Sequence, residues 1–207
     1  MSTLEITKRY SKESPDSNLS CGGNLTYLAL KPGEKVLDLG CGRGMETIQA
    51  AELISPSGFA WGIDLTPVMI KAAKDQARKA GVDNVEFLLS SIEQIPFATG
   101  SIDALISNCA INHVADKLSV YCEIYRVLSP GGRFVISDIM TNKPLPQAIK
   151  EDSEAIAACF GGAITVKEYE EVLGSAGFKE IEIFKERHYS KNGYDMISRT
   201  FQGKKLK

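Results

Sequence analysis

The chain has 207 residues, 43% of them hydrophobic and 24% charged, which suits one globular domain with a full core. Lys+Arg 24 against Asp+Glu 26 gives a net charge of −2, so no basic footprint for nucleic acid is present. The polar N-terminus lacks a signal-like apolar core, and the weakly polar run 155–166 is too short to cross a bilayer, so no membrane partner and a cytoplasmic location are expected. The 5 cysteines form no C-x-x-C pair, which points to reduced thiols and not to a disulfide framework.

In chain order, residues 1–18 read as a polar arm broken at Ser14-Pro15-Asp16, and 19–30 as a helix leading into the turn Lys31-Pro32-Gly33. Together, 1–30 form an expected N-terminal arm or lid, and 31–207 the main domain. Residues 35–39 are a short apolar strand, followed by a loop with Gly40, Gly42 and Gly44 and a helix marked by Met45, Ile48 and Ala51. Residues 59–65 are a second strand. Thr66-Pro67 opens a helix with apolar Met69, Ala73, Ala77 and Ala80, closed by Gly81.

Strands at 85–89 and 102–107, a helix at 116–128 stopped by Pro130-Gly131-Gly132, and a strand at 133–137 continue the alternation. The run 155–166 reads as a core helix inside an insertion, about 140–164, that caps the substrate. Thr165 and Glu168 form a capping box opening a helix to Ala176, with Gly177 beyond it. Residues 180–184 alternate as a half-exposed strand, and a last strand lies near 196–201. This rhythm predicts an α/β fold with a doubly wound, mostly parallel sheet.

Strand, glycine loop and helix let a backbone approach a nucleotide-like ligand. The spacing G-x-G-x-G after Asp38 differs from both dinucleotide and P-loop fingerprints, and no lysine follows to hold a phosphate. A nucleoside without pyrophosphate is the expected ligand, which makes S-adenosylmethionine the cofactor candidate. Gly40, Cys41, Gly42 and Gly44 would line it, and Asp64 at the end of the second strand would accept from the ribose hydroxyls. Asp38 either orients the loop or meets the cationic end of the cofactor. Leu65, Met69 and Asn108 complete the lining, with Ser91 and Ile92 near adenine, where neither Ser90 nor Ser91 offers a carboxylate for the amino group.

These elements resemble the class I S-adenosylmethionine-dependent methyltransferases, a Rossmann-like family. The matching motifs are Asp38-Leu39-Gly40-Cys41-Gly42-Arg43-Gly44, the acid Asp64, Ile95-Pro96-Phe97 before Ser101-Ile102-Asp103, and Leu128-Ser129-Pro130-Gly131-Gly132.

The acceptor is read from the cysteines. Cys122 in a helix is expected to pack, and the Cys41 thiol to be structural. Cys109 follows the fourth strand at the topological switch point, where such sheets bind ligands. Cys21 lies in the N-terminal segment. Cys159 lies in the insertion, on one helical face with Ile149 and Ile156.

Ser107-Asn108-Cys109-Ala110-Ile111-Asn112, Cys159-Phe160-Gly161-Gly162-Ala163 and Cys21-Gly22 resemble the arsenite methyltransferases. That resemblance implies that Cys21, Cys109 and Cys159 bind trivalent arsenic as substrate, with an external thiol reductant such as thioredoxin or glutathione as partner. Soft As(III) condenses with thiols into a trigonal pyramid, so three sulfurs aim its lone pair at the methyl donor and catalysis is mostly orientation. His113 is either a polar lining group or an exposed histidine, and His188 a surface residue. Two alternatives stay open: a small-molecule, quinone-like C- or O-methyltransferase, and a soft-metal-binding or sensing protein.

Overall fold

A computed structural model of the chain describes residues 23–206. The expected arm, the start of the helix expected at 19–30, and Cys21 lie outside the described residues. The strands are β1 Lys35–Leu39, β2 Phe59–Asp64, β3 Val85–Leu89, β4 Ile102–Asn108, β5 Leu128–Thr141, β6 Ile181–Lys191 and β7 Tyr194–Lys204. They form one sheet in the order β3-β2-β1-β4-β5-β7-β6. β1 to β5 pair in parallel, and β7 runs antiparallel between β5 and β6. The order reverses between β1 and β4, which sets the switch point beside Leu39 and its register partner Ser107.

The helices are α1 Leu25–Leu28, α2 Met45–Ile54, α3 Pro67–Ala80, α4 Lys117–Val127, α5 Gln147–Glu151, α6 Ser153–Ala157 and α7 Val166–Ser175, with a 3₁₀ turn at Ile111–His113. Side chains alternate across each strand, so both sheet faces take apolar residues. Val36, Ala104, Ile106 and Val135 pack against Leu28, Ala50 and Ile54 of α1 and α2. On the opposite face, Leu37, Leu105 and Phe134 meet Val120 and Ile124 of α4 and Tyr169 of α7.

The capping box forms as expected: Glu168 N–H donates to Thr165 Oγ1 (3.2 Å), and Thr165 N–H to Glu168 Oε2 (2.7 Å). Thr66 differs. Its side chain makes no cap bond, and Asp64 Oδ1 instead accepts from the Thr66 N–H (2.8 Å).

Four other expectations are corrected. Among the described residues the first helix is only Leu25–Leu28, ended by Ala29 in left-handed backbone (φ 49°). Arg133 Nε and Nη2 satisfy the carbonyls of Leu28 (2.7 Å) and Ala29 (2.9 Å), so the chain stops there without continuing the helix. The core helix expected at 155–166 is replaced by the end of the short α6 and a turn, because Gly161 packs on the backbone of Ile156. Cys122 is exposed on α4 and does not pack.

Strand β5 is the fourth correction, running from Leu128 to Thr141 because β7 pairs with it from Arg133 to Thr141. The expected strands 180–184 and 196–201 are arms of one long hairpin. Asn192 (φ 53°) and Gly193 (φ 81°) supply the two left-handed residues that a tight β-turn needs.

Candidate functional site

The glycine loop leaves β1 at the switch point. Gly40 and Cys41 donate their N–H groups to Ile63 O (2.9 and 3.0 Å), tying the loop to β2. A Cβ on Gly40 would overlap that of Ala110, and one on Gly44 would lie 2.6 Å from the Phe87 ring. Gly42 is different: with φ 52°, it has nothing within 4 Å of a built Cβ, so it forms the open face of the cradle. Its N–H donates to Asp64 Oδ2 (3.0 Å).

Cys41 turns inward. A Cβ on Gly62 would lie 2.8 Å from Cys41 Sγ, and burial, with Asp38 and Asp64 nearby, pushes this thiol well above the usual range. It plugs the loop against β2 and stays protonated, which makes it a poor thiolate.

Three carboxylates surround this cradle. Asp38 is buried, accepts from Thr47 Oγ1 (2.6 Å), and is pushed up to about 8 by burial and by the Glu46 carboxylate. Burial also raises Glu46 and Asp64 above the ordinary carboxylate range. Glu46 went unread in the sequence. It accepts from Asn24 N–H (3.1 Å) and Asn108 Nδ2 (3.4 Å), which places it between the N-terminal segment and the end of β4. A helix-start glutamate looks like an ordinary first-turn acid, so nothing local flagged it.

A ligand with fixed positive charge would favour all three ionised forms, and the open backbone at Gly42 gives it room. The residues present therefore fit a cationic nucleoside. Leu65 and Ser91 are half-buried near this end of the sheet, whereas Met69 and Ile92 face the core. Glu93 Oε2 lies 3.3 Å from Ser91 Oγ, so a carboxylate does stand at the loop after β3, two residues beyond Ser91.

The Asp38 shift has a measurable consequence. Between about 4 and about 8 the native protein holds a proton that the unfolded chain has released, so stability falls as pH rises across that window. Thermal melting of the ligand-free protein should show a falling Tm over this range, flattened in Asp38→Asn. An unchanged slope in the variant would contradict the assignment.

The thiol region lies at the ends of β4 and β5. Asn24, fully buried, donates through Nδ2 to Ser107 O (2.8 Å) and accepts from Ser137 Oγ (2.5 Å). Asn24 is thus anchored over the switch point.

Cys109 follows β4 with φ 54°, its N–H bonded to Ser137 O (2.9 Å). Cys159 follows α6 with φ 67° and lies outside any helix, which corrects the expected helical face with Ile149 and Ile156. Both cysteines pack against one apolar cluster of Ile139, Leu145, Ala155, Phe160, Ala163 and Met196.

The turn bearing Cys159 is seated on the 3₁₀ turn after Cys109. A Cβ on Gly162 would collide with the carbonyl oxygen of Asn112, so only glycine allows this approach. His113, half-buried, places Nε2 3.4 Å from Cys159 Sγ and stands within electrostatic reach of Asp64. It therefore lines the space between the carboxylates and the thiols. His188 is exposed and pairs with Glu186 (2.9 Å). Lys117 Nζ donates to Val114 O (3.1 Å), and Tyr169 OH donates to the buried Asp138 (3.0 Å), bracing the turn from below. Burial pushes Asp138 up to about 6.

Comparison with known proteins places this geometry. A methyltransferase-domain family model matches residues 30–177. An arsenite methyltransferase of Halobacterium salinarum is 40% identical over 171 residues, covering 83% of this chain and 44% of that protein. A demethylmenaquinone methyltransferase of Lactococcus lactis is 32% identical, covering 84% of this chain and 75% of that protein. The chain spans about half the length of the arsenite methyltransferases it matches.

Among solved structures, an arsenic(III) S-adenosylmethionine methyltransferase from Chlamydomonas reinhardtii aligns with TM-score 0.77 at 24% identity, covering 98% of this chain and 73% of that one. An S-adenosylmethionine-dependent methyltransferase from Aquifex aeolicus aligns over 98% of both chains with TM-score 0.64 at 22% identity. No described helix is long and apolar enough to cross a membrane. The Rossmann-like sheet, the glycine cradle and the family match lead to one assignment: the chain belongs to the methyltransferase-domain family.

Proposed function

We propose that the protein methylates trivalent arsenic held as substrate by Cys21, Cys109 and Cys159, with S-adenosylmethionine as donor. The observation that carries this reading is the pairing of Cys109 and Cys159. They are far apart in sequence, both held in left-handed backbone, and packed on one cluster beside the switch point. Such a conformation strains a residue other than glycine by roughly 1–3 kcal/mol, and strain of this kind gathers at functional sites. Cys21 lies outside the described residues and enters this reading from the Cys21-Gly22 resemblance alone.

S-adenosylmethionine, when bound, supplies an electrophilic methyl group. Asp38, Glu46 and Asp64 offer negative charge to its cationic end, and the Gly40–Gly44 backbone leaves it room. The thiols do the remaining work. Each S–H condenses with an arsenic hydroxyl, forming As–S and releasing water, so no oxidant is consumed. Three sulfurs then fix the direction of the lone pair, which makes orientation the main catalytic contribution. No general base is required at arsenic. The lone pair forms the new As–C bond as the donor's S–C bond breaks, which takes arsenic from +III to +V. In this reading an external thiol reductant in a cytoplasmic setting returns it to +III, being oxidised to a disulfide, and the insertion at about 140–164 serves as the substrate cap.

The menaquinone relative favours a second reading, methylation of a quinol-like carbon or oxygen. One assay separates them: purified protein, labelled S-adenosylmethionine and a thiol reductant, with arsenite or a demethylated quinol as acceptor. Label transfer that requires arsenite is expected. Transfer to the quinol with none to arsenite would establish the second reading instead.

A further inference from the structure

The tip of the β6–β7 hairpin reaches the turn that carries Cys159. Lys191, the last residue of β6, pairs with Tyr194 across Asn192-Gly193. Its Nζ donates to Ala158 O (2.9 Å) and lies 5.0 Å from the centroid of the Phe160 ring. Ala158 and Phe160 are the two chain neighbours of Cys159, so one side chain grips the thiol-bearing residue from both sides. Tyr189, Tyr194 and Met196 of the same hairpin pack in the cluster that holds Cys109 and Cys159.

We propose that Lys191 is a positioning residue for the substrate: it locks the left-handed turn at Cys159 so that this thiol is already aimed when arsenic arrives. The proposal rests on the reading of Cys159 as an arsenic ligand.

Three facts of chemistry support it. Ala158 is the C-cap of α6, and its carbonyl is among those a helix leaves without an intrahelical donor. A lysine near a helix C-terminus meets that need and complements the dipole. The ammonium over Phe160 adds a cation–π contact that holds the residue after Cys159 in place. The turn's own bonds, Cys159 N–H to Ile156 O (2.9 Å), Gly161 N–H to Ala155 O (2.8 Å) and Ala163 N–H to Phe160 O (3.1 Å), are short-range and few. Ordering such a segment in advance removes an entropic penalty at the binding step.

The test compares wild type, Lys191→Met and Lys191→Arg in the full chain, by amide hydrogen exchange and by steady-state kinetics. In K191M the amides of Cys159, Gly161 and Ala163 should exchange on the order of tenfold faster, while core amides of β1 and β4 stay unchanged. The KM for arsenite should rise on the order of tenfold while the KM for S-adenosylmethionine holds, and K191R should restore both. Unchanged exchange and unchanged arsenite KM in K191M would overturn the proposal. So would a parallel rise in both KM values, which marks a fold-wide effect. Faster exchange in a protein with no arsenite-dependent transfer would retain the clamp but overturn the arsenic assignment beneath it.

Discussion

Replacing Cys159 or Cys109 by serine is expected to lower arsenite-dependent methyl transfer by at least about 100-fold, with S-adenosylmethionine affinity held within about twofold. Serine nearly matches cysteine in shape and tolerates the same backbone, so the turns at φ 54° and φ 67° should persist. What changes is the donor atom. A hard hydroxyl forms no durable bond to soft As(III), and two sulfurs leave the lone pair free to swing away from the donor. The cofactor cradle is built from Gly42, Asp38 and Asp64, none of which is altered in either variant. Isothermal titration with S-adenosylmethionine and label transfer with arsenite measure the two effects separately. Cys122→Ser, altering an exposed thiol on α4, is the control. Full transfer in C159S would return that cysteine to an ordinary packing role.

Gly162→Ala is expected to separate arsenic binding from cofactor binding by a purely steric route. The added Cβ would overlap the Asn112 carbonyl oxygen, a backbone atom that cannot rotate out of the way. Asn112 itself is buried and donates through Nδ2 to Ile139 O (2.7 Å), so it does not yield readily. The Cys159 turn must therefore lift by an ångström or more. A displacement of about 1 Å at a reacting group can cost on the order of 100-fold in rate, and that loss is expected here. Arsenite affinity should fall in parallel, with the S-adenosylmethionine affinity kept. Melting should show a small loss of stability, because the turn sits at the rim of the sheet, outside its main core. Wild-type arsenite affinity in this variant would show that the two turns do not meet in solution as described.

Much of the frame was legible in the chain because each cue was local. The glycine loop and the Thr165 capping box are short patterns with one mechanical meaning, and the parallel strands are short apolar runs. The thiol region resisted a local reading. Cys159 keeps helical spacing with Ile149 and Ile156, yet Gly161 and Gly162 break that helix through contacts with Ile156 and with Asn112, a residue 50 positions away. Periodicity cannot see such a contact.

Glu46 reads as a first-turn acid until Asn24 and Asn108 arrive from distant segments. Strand β5 extends past its apolar core because β7 pairs with it, carrying the polar Asp138 and Thr141 into the sheet. The Asn192-Gly193 turn was the exception. It is a strong local hairpin signal between two short alternating runs, and reading it would have joined β6 to β7 from sequence alone.

The central claim is that three thiols of this chain hold the arsenic. Arsenic K-edge X-ray absorption on protein loaded with equimolar arsenite counts those bonds directly. The account predicts three sulfur neighbours and no oxygen in wild type, with one sulfur replaced by oxygen in each of Cys21→Ser, Cys109→Ser and Cys159→Ser. Oxygen-only coordination in wild type, or a sulfur count unchanged in all three variants, would contradict it.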